Sequence, residues 1–319
     1  MKKIIFTLLL LTSIGLISCR KTGNDPNITQ YDQIQIQNYI TANGLSAMKR
    51  DTTDGDTSGI YYQILTQSPN TTHPLDYPDS VAFVFTLKSF DGKYTSLDSL
   101  STNHYNNYVG HISTGGLPKG LQTAVRNLIK YRGSSARVLI PSRLAYGVNG
   151  YGSGSSSNAN THIAGNQSLD YYVNIIDNLD DYDQFVIKKY MATNSLTGFT
   201  EVTSGRGKGL WYKVTTEGTG PDQLTYYSAL TTTYSGKYLT NTVFDASNPD
   251  GSATSFPSLD GFVPGVQEAL KGHSAGTVIT MLLPSRLAYG RGGSQGGTVS
   301  IAPNTCMRFD FTVVTVTTP

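Results

Sequence analysis

The stretch that decides the fold is IPSRLAYG at residues 140–147, which recurs as LPSRLAYG at residues 283–290. Seven of the eight letters are identical, and the two copies lie 143 positions apart. Each copy ends an apolar run, ARVLIP or TVITMLLP, of the kind found in buried strands. Because proline cannot donate to a sheet ladder, the phrase predicts a strand, a proline stop and a turn, and it predicts them twice.

The repeat extends through most of the chain in an unchanged order. The further pairs are NYITAN (38–43) with KYMATN (189–194), GIYYQI (59–64) with GLWYKV (209–214), LQTAV (121–125) with VQEAL (266–270), and IAGNQSLDYYVNII (163–176) with IAPNTCMRFDFTVV (301–314). A spacing that drifts only where loops differ indicates duplication of a unit of about 150 residues. We place the boundary near residues 179–181.

Each unit has the same predicted elements. An amphipathic helix comes first, and its apolar face is predicted at Ile34, Ile36, Tyr39 and Ile40, and again at Phe185, Val186, Tyr190 and Met191. Polar linkers follow at 51–58 and 203–208, then alternating strands that include 80–87 and 226–236. A short helix later buries one face, formed by Leu121, Ala124, Val125, Leu128 and Ile129, or by Val266, Ala269 and Leu270. Strands dominate, which predicts an α+β fold with antiparallel sheets.

The N-terminus has the features of a targeting segment. Lys2 and Lys3 precede an apolar run of about 14 residues, which is short for a membrane span and typical of a signal peptide. The run ends in Leu-Ile-Ser-Cys, which resembles the bacterial lipobox and predicts lipidation of Cys19 after removal of residues 1–18. An ordinary cleaved signal peptide with an incidental cysteine is the alternative.

Composition excludes several classes of function. The 319 residues suit about two domains, and the formal net charge of +2 falls to about 0 without residues 1–18. No basic surface for nucleic acid is therefore expected. Cys306 is the only cysteine besides Cys19, so no intramolecular disulfide is expected.

Metal binding is not predicted. The five histidines, at positions 73, 104, 111, 162 and 273, have no metal-ligand spacing and are expected in solvated loops. Asp51, Asp54 and Asp56 lack the glutamate and the flanking helices of a calcium loop. We therefore expect neither a metal nor another cofactor.

Several motifs in the second copy stand in the order of a known family. They are YSG (234–236), VFD (243–245), FVPGVQEAL (262–270), LPSRLAYG (283–290), IAPN (301–304) and FDF (309–311). Together they resemble the FK506-binding-protein (FKBP) class of peptidyl-prolyl cis-trans isomerases over residues 209–317. Residues 59–179 resemble the class more loosely, mostly through their similarity to the second copy.

The resemblance implies an α+β fold of two FKBP-like domains, each a curved antiparallel sheet wrapped around a short α-helix and each preceded by a helix. The expected segments are a signal peptide (1–18), an anchor, linker and leading helix (19–58), domain 1 (59–179), a second leading helix and linker (180–208), and domain 2 (209–319). The leading segment resembles that of lipid-anchored versions from Bacteroidetes-like bacteria.

The resemblance also implies function. The expected activity is cis-trans isomerisation of Xaa-Pro bonds in exported or unfolded polypeptides, without a cofactor. The expected location is the cell envelope, with the chain anchored through Cys19 to a membrane, the outer one being favoured, on its periplasmic or surface face. Binding of macrolides of the FK506 kind is a further expectation.

For the second copy, the resemblance implies a substrate slot. The residues expected to act in catalysis are Tyr234, Phe244, Asp245, Tyr289 and Phe309. Those expected to line the slot are Phe256, Val263, Val266 and Ile301. Val266 stands where the family usually has tryptophan, and the arginine that commonly follows the Phe-Asp pair is missing.

For the first copy, the matching substrate-binding positions are Phe85, Leu97, Asp98, Leu121, Tyr146, Ile163 and Tyr171. Phe85 lacks the hydroxyl of Tyr234, and the loop between Tyr146 and Ile163 is five residues longer than its counterpart. The first domain is therefore expected to be degenerate, and its activity stays open.

Two other functions remain open on the sequence alone. Degenerate FKBP domains could form a non-catalytic, peptide-binding chaperone or an envelope interaction module. A glycan-binding module is suggested only by the 21 tyrosines and the many Asn and Thr residues.

Overall fold

A computed structural model describes residues 27–55, 57–153, 160–248, 250–295 and 299–319. The predicted signal peptide and Cys19 lie outside these ranges. Within them, no helix has both the length and the apolar character needed to cross a membrane.

Four α-helices lie in the described part of the chain. They are α1 (Ile28–Ala42), α2 (Lys119–Thr123), which continues as a π-helix over Ala124–Ile129, α3 (Leu179–Thr193) and α4 (Pro264–Leu270). Asn27 and Gln30 form a reciprocal capping box at the start of α1. Asn178 accepts two backbone N–H bonds at the start of α3, and α4 has proline in its first turn.

In the described residues, the strands form two large sheets and one hairpin. In the first half they are β1 (Lys49–Arg50), β2 (Tyr61–Thr66), β3 (Ser80–Ser89), β4 (Thr95–Ser96), β5 (His104–Tyr108), β6 (Ser135–Ile140), the hairpin β7 (Tyr151–Gly152) with β8 (His162–Ile163), and β9 (Leu169–Ile176). In the second half they are β10 (Thr200–Glu201), β11 (Trp211–Thr216), β12 (Ala229–Tyr238), β13 (Val243–Ala246), β14 (Thr254–Phe256), β15 (Val278–Leu283) and β16 (Met307–Thr317).

The two sheets have the same topology. The first runs β1-β2-β6-β9-β3-β4 with β5 also on β3, and the second runs β10-β11-β15-β16-β12-β13 with β14 also on β12. Neighbouring strands in both are antiparallel. Phe85 pairs with Val173, and Tyr234 pairs with Phe311 at the matching point of the second sheet. The predicted α+β class and the duplication are confirmed. We call α1 through β9 the first unit and α3 through β16 the second unit.

Each sheet wraps around its short helix. The predicted helix face in the first unit is buried along its whole length, from Leu121 to Ile129, and so are Val266, Ala269 and Leu270 in the second. Each helix belongs to a separate apolar core with its own sheet. Burial of these faces is the main favourable term that holds each unit together.

The predicted apolar face of the leading helices is partly wrong. Ile34 and Phe185 are 51% and 61% exposed, whereas Asp32 and Asp183 are fully buried. The reason is that each carboxylate accepts hydrogen bonds from the turn of the repeated PSRLAYG motif. Asp32 accepts a bond from the Ser142 N–H at 3.1 Å, and Asp183 accepts bonds from the Ser285 N–H and hydroxyl, both at 2.7 Å.

Candidate functional site

Aromatic rings cluster on the inner surface of the second sheet. Each ring lies 4.5–6.1 Å, centroid to centroid, from at least one other ring of the group, and the rings belong to Tyr234, Tyr238, Phe244, Phe256, Phe262, Phe309 and Phe311. Phe244 meets Phe309 edge to face, with centroids 5.7 Å apart and planes at 87°. Several of these rings are only half-buried, so the group is open to solvent on one side rather than closed like a core, and we call it the slot.

Gly236 makes room for two of these rings. A Cβ atom at this position would lie 2.7 Å from Cε1 of Phe309 and 2.8 Å from Cζ of Phe244. Such contacts are shorter than packed carbon atoms allow. The edge-to-face pair therefore depends on the missing side chain of Gly236.

Two phenols and one carboxylate lie at the rim of the slot. The Tyr234 hydroxyl donates to Asp245 Oδ2 at 3.0 Å. Burial, and then this hydrogen bond, raises the pKa of Tyr234 to about 12. Burial, and then the charge of Asp245, raises the pKa of Tyr289 as well. Both phenols therefore keep their protons at neutral pH and can act as hydrogen-bond donors.

The repeated turn carries Tyr289 into a loop that folds back on itself. We call its described residues, 290–295 and 299–304, the slot loop. Its ends are joined by a bond from the Asn304 N–H to the Gly290 carbonyl at 2.9 Å, and Ser294 and Ile301 exchange two backbone bonds further along. Gly293 has φ +64°, and a Cβ there would lie 2.1 Å from the Ile301 carbonyl oxygen. The close approach of the two limbs therefore requires glycine at this position.

The structure brings together the predicted residues of the second unit. Val266, Ile301 and Phe309 are at most 5% exposed and form the inner end of the slot. Half-buried side chains pack against the same core, namely Tyr234, Phe244, Phe256, Val263 and Tyr289. Three neighbouring aromatics were missed, namely Tyr238, Phe262 and Phe311, although strand alternation from Tyr234 and Phe309 points to Tyr238 and Phe311.

In the first unit, the matching positions are enclosed. Phe85, Leu121, Ile163 and Tyr171 are at most 7% exposed and belong to the first core, against which Tyr146 packs. Burial raises the pKa of Tyr146 to about 12 and, more strongly, that of Tyr171. These residues come together, but as core packing rather than as an open slot.

Leu97 and Asp98 do not join that group, so their predicted placement is wrong. Leu87 pairs with Ser96, just as Gly236 pairs with Asp245, so Ser96 stands in the position of Asp245. Strand β4 ends there, and the two predicted residues fall in the turn beyond it. Leu97 is 57% exposed, and Asp98 accepts bonds from two backbone N–H groups of its own turn.

His104 is not a solvated loop residue either, contrary to the prediction. It lies on β5 with a half-buried ring, its Nδ1 2.7 Å from the Pro303 carbonyl oxygen and its Nε2 2.9 Å from that of Ser99. Burial lowers the pKa of His104, and these carbonyl partners oppose that effect. The histidine therefore bridges the two units.

A curved antiparallel sheet that wraps a short helix and carries an aromatic slot defines the FKBP type of domain. Residues 220–314 match the family model described as FKBP-type peptidyl-prolyl cis-trans isomerase. The match lies within the second unit, so the second unit resembles this family.

Proteins of known sequence or structure also resemble part of the chain. A probable FKBP-type peptidyl-prolyl cis-trans isomerase FkpA of Neisseria meningitidis is 36% identical over 111 residues, which are 35% of this chain and 39% of the relative. The peptidyl-prolyl cis-trans isomerase Mip of Coxiella burnetii is 35% identical over 108 residues, 34% of this chain and 45% of the relative. The chain thus spans less than half the length of either relative. The solved structure of FkpA from Escherichia coli is 28% identical, with 43% of this chain and 60% of that chain covered and a TM-score of 0.36.

Proposed function

We propose that this chain is a peptidyl-prolyl cis-trans isomerase whose catalytic site is the slot of the second unit. The observation that carries the proposal is the half-buried aromatic slot with Tyr289 and Asp245 at its rim, inside the segment that matches the family. The names of the related proteins support the same activity.

The slot suits the chemistry of the reaction. Rotation about an Xaa-Pro bond is slow because the C–N bond has partial double-bond character, with a barrier of about 18–20 kcal/mol. In the twisted transition state this resonance is lost and the carbonyl becomes less polar. An apolar slot therefore disfavours the planar ground state more than the twisted state. A rate gain of about a million-fold would require about 8 kcal/mol.

The slot residues have distinct roles in this proposal. Phe244, Phe309 and Val266 hold the proline ring, with Val266 at the inner end. The Tyr289 hydroxyl donates to a substrate carbonyl, an interaction worth about 1 kcal/mol. Asp245 is held at the rim by Tyr234 and faces the peptide backbone.

The proposal also includes the substrates and the cellular location of the chain. The leader at residues 1–18 and the lipobox at Cys19 support export and lipid anchoring in the cell envelope, with Xaa-Pro bonds of exported proteins as substrates. Macrolides of the FK506 kind would occupy the same slot. We also propose 59–179 and 209–319 as the domain bounds.

A protease-coupled proline-peptide assay on the full-length chain tests the activity. Phe244→Ala should lower kcat/KM by about 30-fold or more, since it removes one wall of the slot. Phe185→Ala is the matched control, because that ring is 61% exposed on α3. Equal rates for Phe244→Ala and wild type would refute the assignment of the slot.

A non-catalytic role for the first unit is a second candidate, since its matching positions are filled by its own core. A chaperone that binds unfolded chains should suppress aggregation of a client without proline, whereas an isomerase alone should not. Aggregation of such a client with and without the full-length chain separates the two activities.

A further inference from the structure

In the described residues, side chains of the first unit contact the slot loop of the second unit. Asn106 Nδ2 donates to the carbonyl oxygen of Arg291 at 3.0 Å. His104 Nδ1 lies 2.7 Å from the carbonyl oxygen of Pro303. Both side chains come from β5, an edge strand that pairs only with β3 among the described residues. One strand of the first unit therefore reaches both limbs of the slot loop.

The two contacted carbonyls lie close in sequence to slot residues. Arg291 follows Tyr289 by two residues, and Pro303 follows Ile301 by two. The limbs are also joined to each other by the bond from the Asn304 N–H to the Gly290 carbonyl. Fixing these carbonyls therefore restricts the backbone that places the Tyr289 hydroxyl and the Ile301 side chain.

A contact within the first unit also fixes the ring of His104. Its Nε2 lies 2.9 Å from the carbonyl oxygen of Ser99. In the same turn, Leu100 packs against the cluster that contains Val186 and Leu239 of the second unit. A side chain held in this way loses little conformational entropy when it makes the second contact.

The turn before β5 also lies near the slot wall. Its residues Asp98 and Leu100 line one cavity together with Leu239, the neighbour of Tyr238 in the second unit. The charge of Asp98 adds to the effect of burial in raising the pKa of Tyr238. The Tyr238 hydroxyl donates to the carbonyl of Ser300 in the slot loop at 3.2 Å, and its ring lies 5.0 Å from that of Phe244. The turn that the first unit places here thus borders the slot itself.

We propose that His104 and Asn106 are positioning residues for the slot of the second unit. The first unit, whose own slot positions are filled, holds the loop that carries Tyr289 and Ile301. This inference rests on the proposed isomerase function, because positioning matters only if the slot turns over substrate. Neither residue touches the peptide, so both act through the loop backbone.

The test uses the full-length chain with His104→Ala and Asn106→Ala, and with His111→Ala and Asn107→Ala as matched controls. His111 and Asn107 are exposed residues of the first unit, and among the described residues their side chains make no hydrogen bond or ring contact with the second unit. Peptide turnover is measured over a range of substrate concentrations. Each test variant should raise KM about threefold to tenfold, the range that loss of one hydrogen bond allows, with kcat within about twofold.

Two further readouts separate positioning from a merely structural role. Hydrogen exchange of the backbone amides in 290–295 and 301–304 should be faster in both test variants and unchanged in the controls. His104→Gln keeps one N–H donor near Pro303, so its KM should lie between those of wild type and His104→Ala.

The outcomes are distinguishable. If wild type isomerises peptide and both test variants match it in KM and in loop exchange, the inference is wrong. If wild type has no activity, the proposed function fails, and loop exchange alone decides whether β5 holds the loop. If His104→Ala unfolds the first unit, Asn106→Ala decides, since its side chain makes no other hydrogen bond among the described residues.

Discussion

The two units share one topology, but the inward side chains of one strand differ, and two of these positions differ strongly in size. On β12 these positions are Thr232 and Gly236, and on β3 the matching positions are Phe83 and Leu87. Phe83 is fully buried and Leu87 is 5% exposed. Leu87 stands at the position of Gly236, where even a Cβ would meet Phe309 and Phe244. The same fold therefore forms with or without an open slot. A few inward side chains determine whether the slot is open.

The largest expected effect comes from making the second unit resemble the first. Gly236→Leu puts a side chain where even a Cβ would meet Phe309 and Phe244, so Phe244 should be pushed from the slot. We expect kcat/KM to fall by about 100-fold or more. Lys237→Leu, at the next and partly exposed position of the strand, is the control. Activity retained in Gly236→Leu would show that the edge-to-face pair is not needed.

The opposite change, in the first unit, tests whether Leu87 serves only to stabilise the core of that unit. Leu87→Ala removes a buried side chain from the first core and should lower the free energy of unfolding by about 2–3 kcal/mol, measured by denaturant titration. Peptide turnover in the second slot should stay unchanged. A first unit that gains turnover in this variant would contradict its structural assignment.

A smaller effect is expected from the paired tyrosines of the repeated turn. Tyr289→Phe should lower kcat/KM about fivefold, since one hydrogen bond to the substrate carbonyl is lost. Tyr146→Phe, the same change in the first unit, should leave turnover unchanged. Equal losses in the two variants would indicate that both turns serve catalysis.

The smallest expected effect at neutral pH concerns the buried carboxylates of the leading helices. Asp32 lies 3.3 Å from Nη1 of Arg143, whereas Asp183 faces Ser285, Cys306 and the like charge of Asp180. Burial raises the pKa of Asp183 to about 6. Between about pH 4 and 6 the folded chain therefore binds a proton that the unfolded chain lacks, so this group's contribution to stability falls as pH rises through that window.

Asp183→Asn removes this dependence and keeps an acceptor for the Ser285 N–H. At pH 7.5 we expect a change of less than about 1 kcal/mol in the free energy of unfolding. Wild type should gain stability relative to the variant between pH 6.5 and 4.5 in denaturant titrations. Asp32→Asn, which loses the ion pair with Arg143, is the matched comparison. A pH-independent difference between wild type and Asp183→Asn would show that Asp183 does not titrate in this window.

Much of the fold, and the grouping of the predicted residues of the second unit, could be predicted from the sequence. The proline stops, the alternating strands and the apolar faces of the two short helices are local patterns, and the structure has each of them. The nine predicted residues of the second slot stand in the family's order, and the structure brings them together.

The failures share a physical cause. Leu97 and Asp98 were misplaced because the end of β4 depends on pairing with β3, and a small difference in loop length moves residues from a strand to a turn. Asp32 and Asp183 were missed because their partners, the amides of a turn more than 100 residues later, cannot be seen in the local pattern.

The sequence by itself determined the duplication, the α+β plan and the aromatic composition of the second slot, because periodicity and repetition are properties of neighbouring residues. Only the tertiary structure decided that Leu87 fills one slot while Gly236 opens the other, and that His104 and Asn106 reach the loop beside Tyr289. Strand register and the packing of one unit against the other determine which side chains come into contact. Both arise only when segments distant in sequence meet.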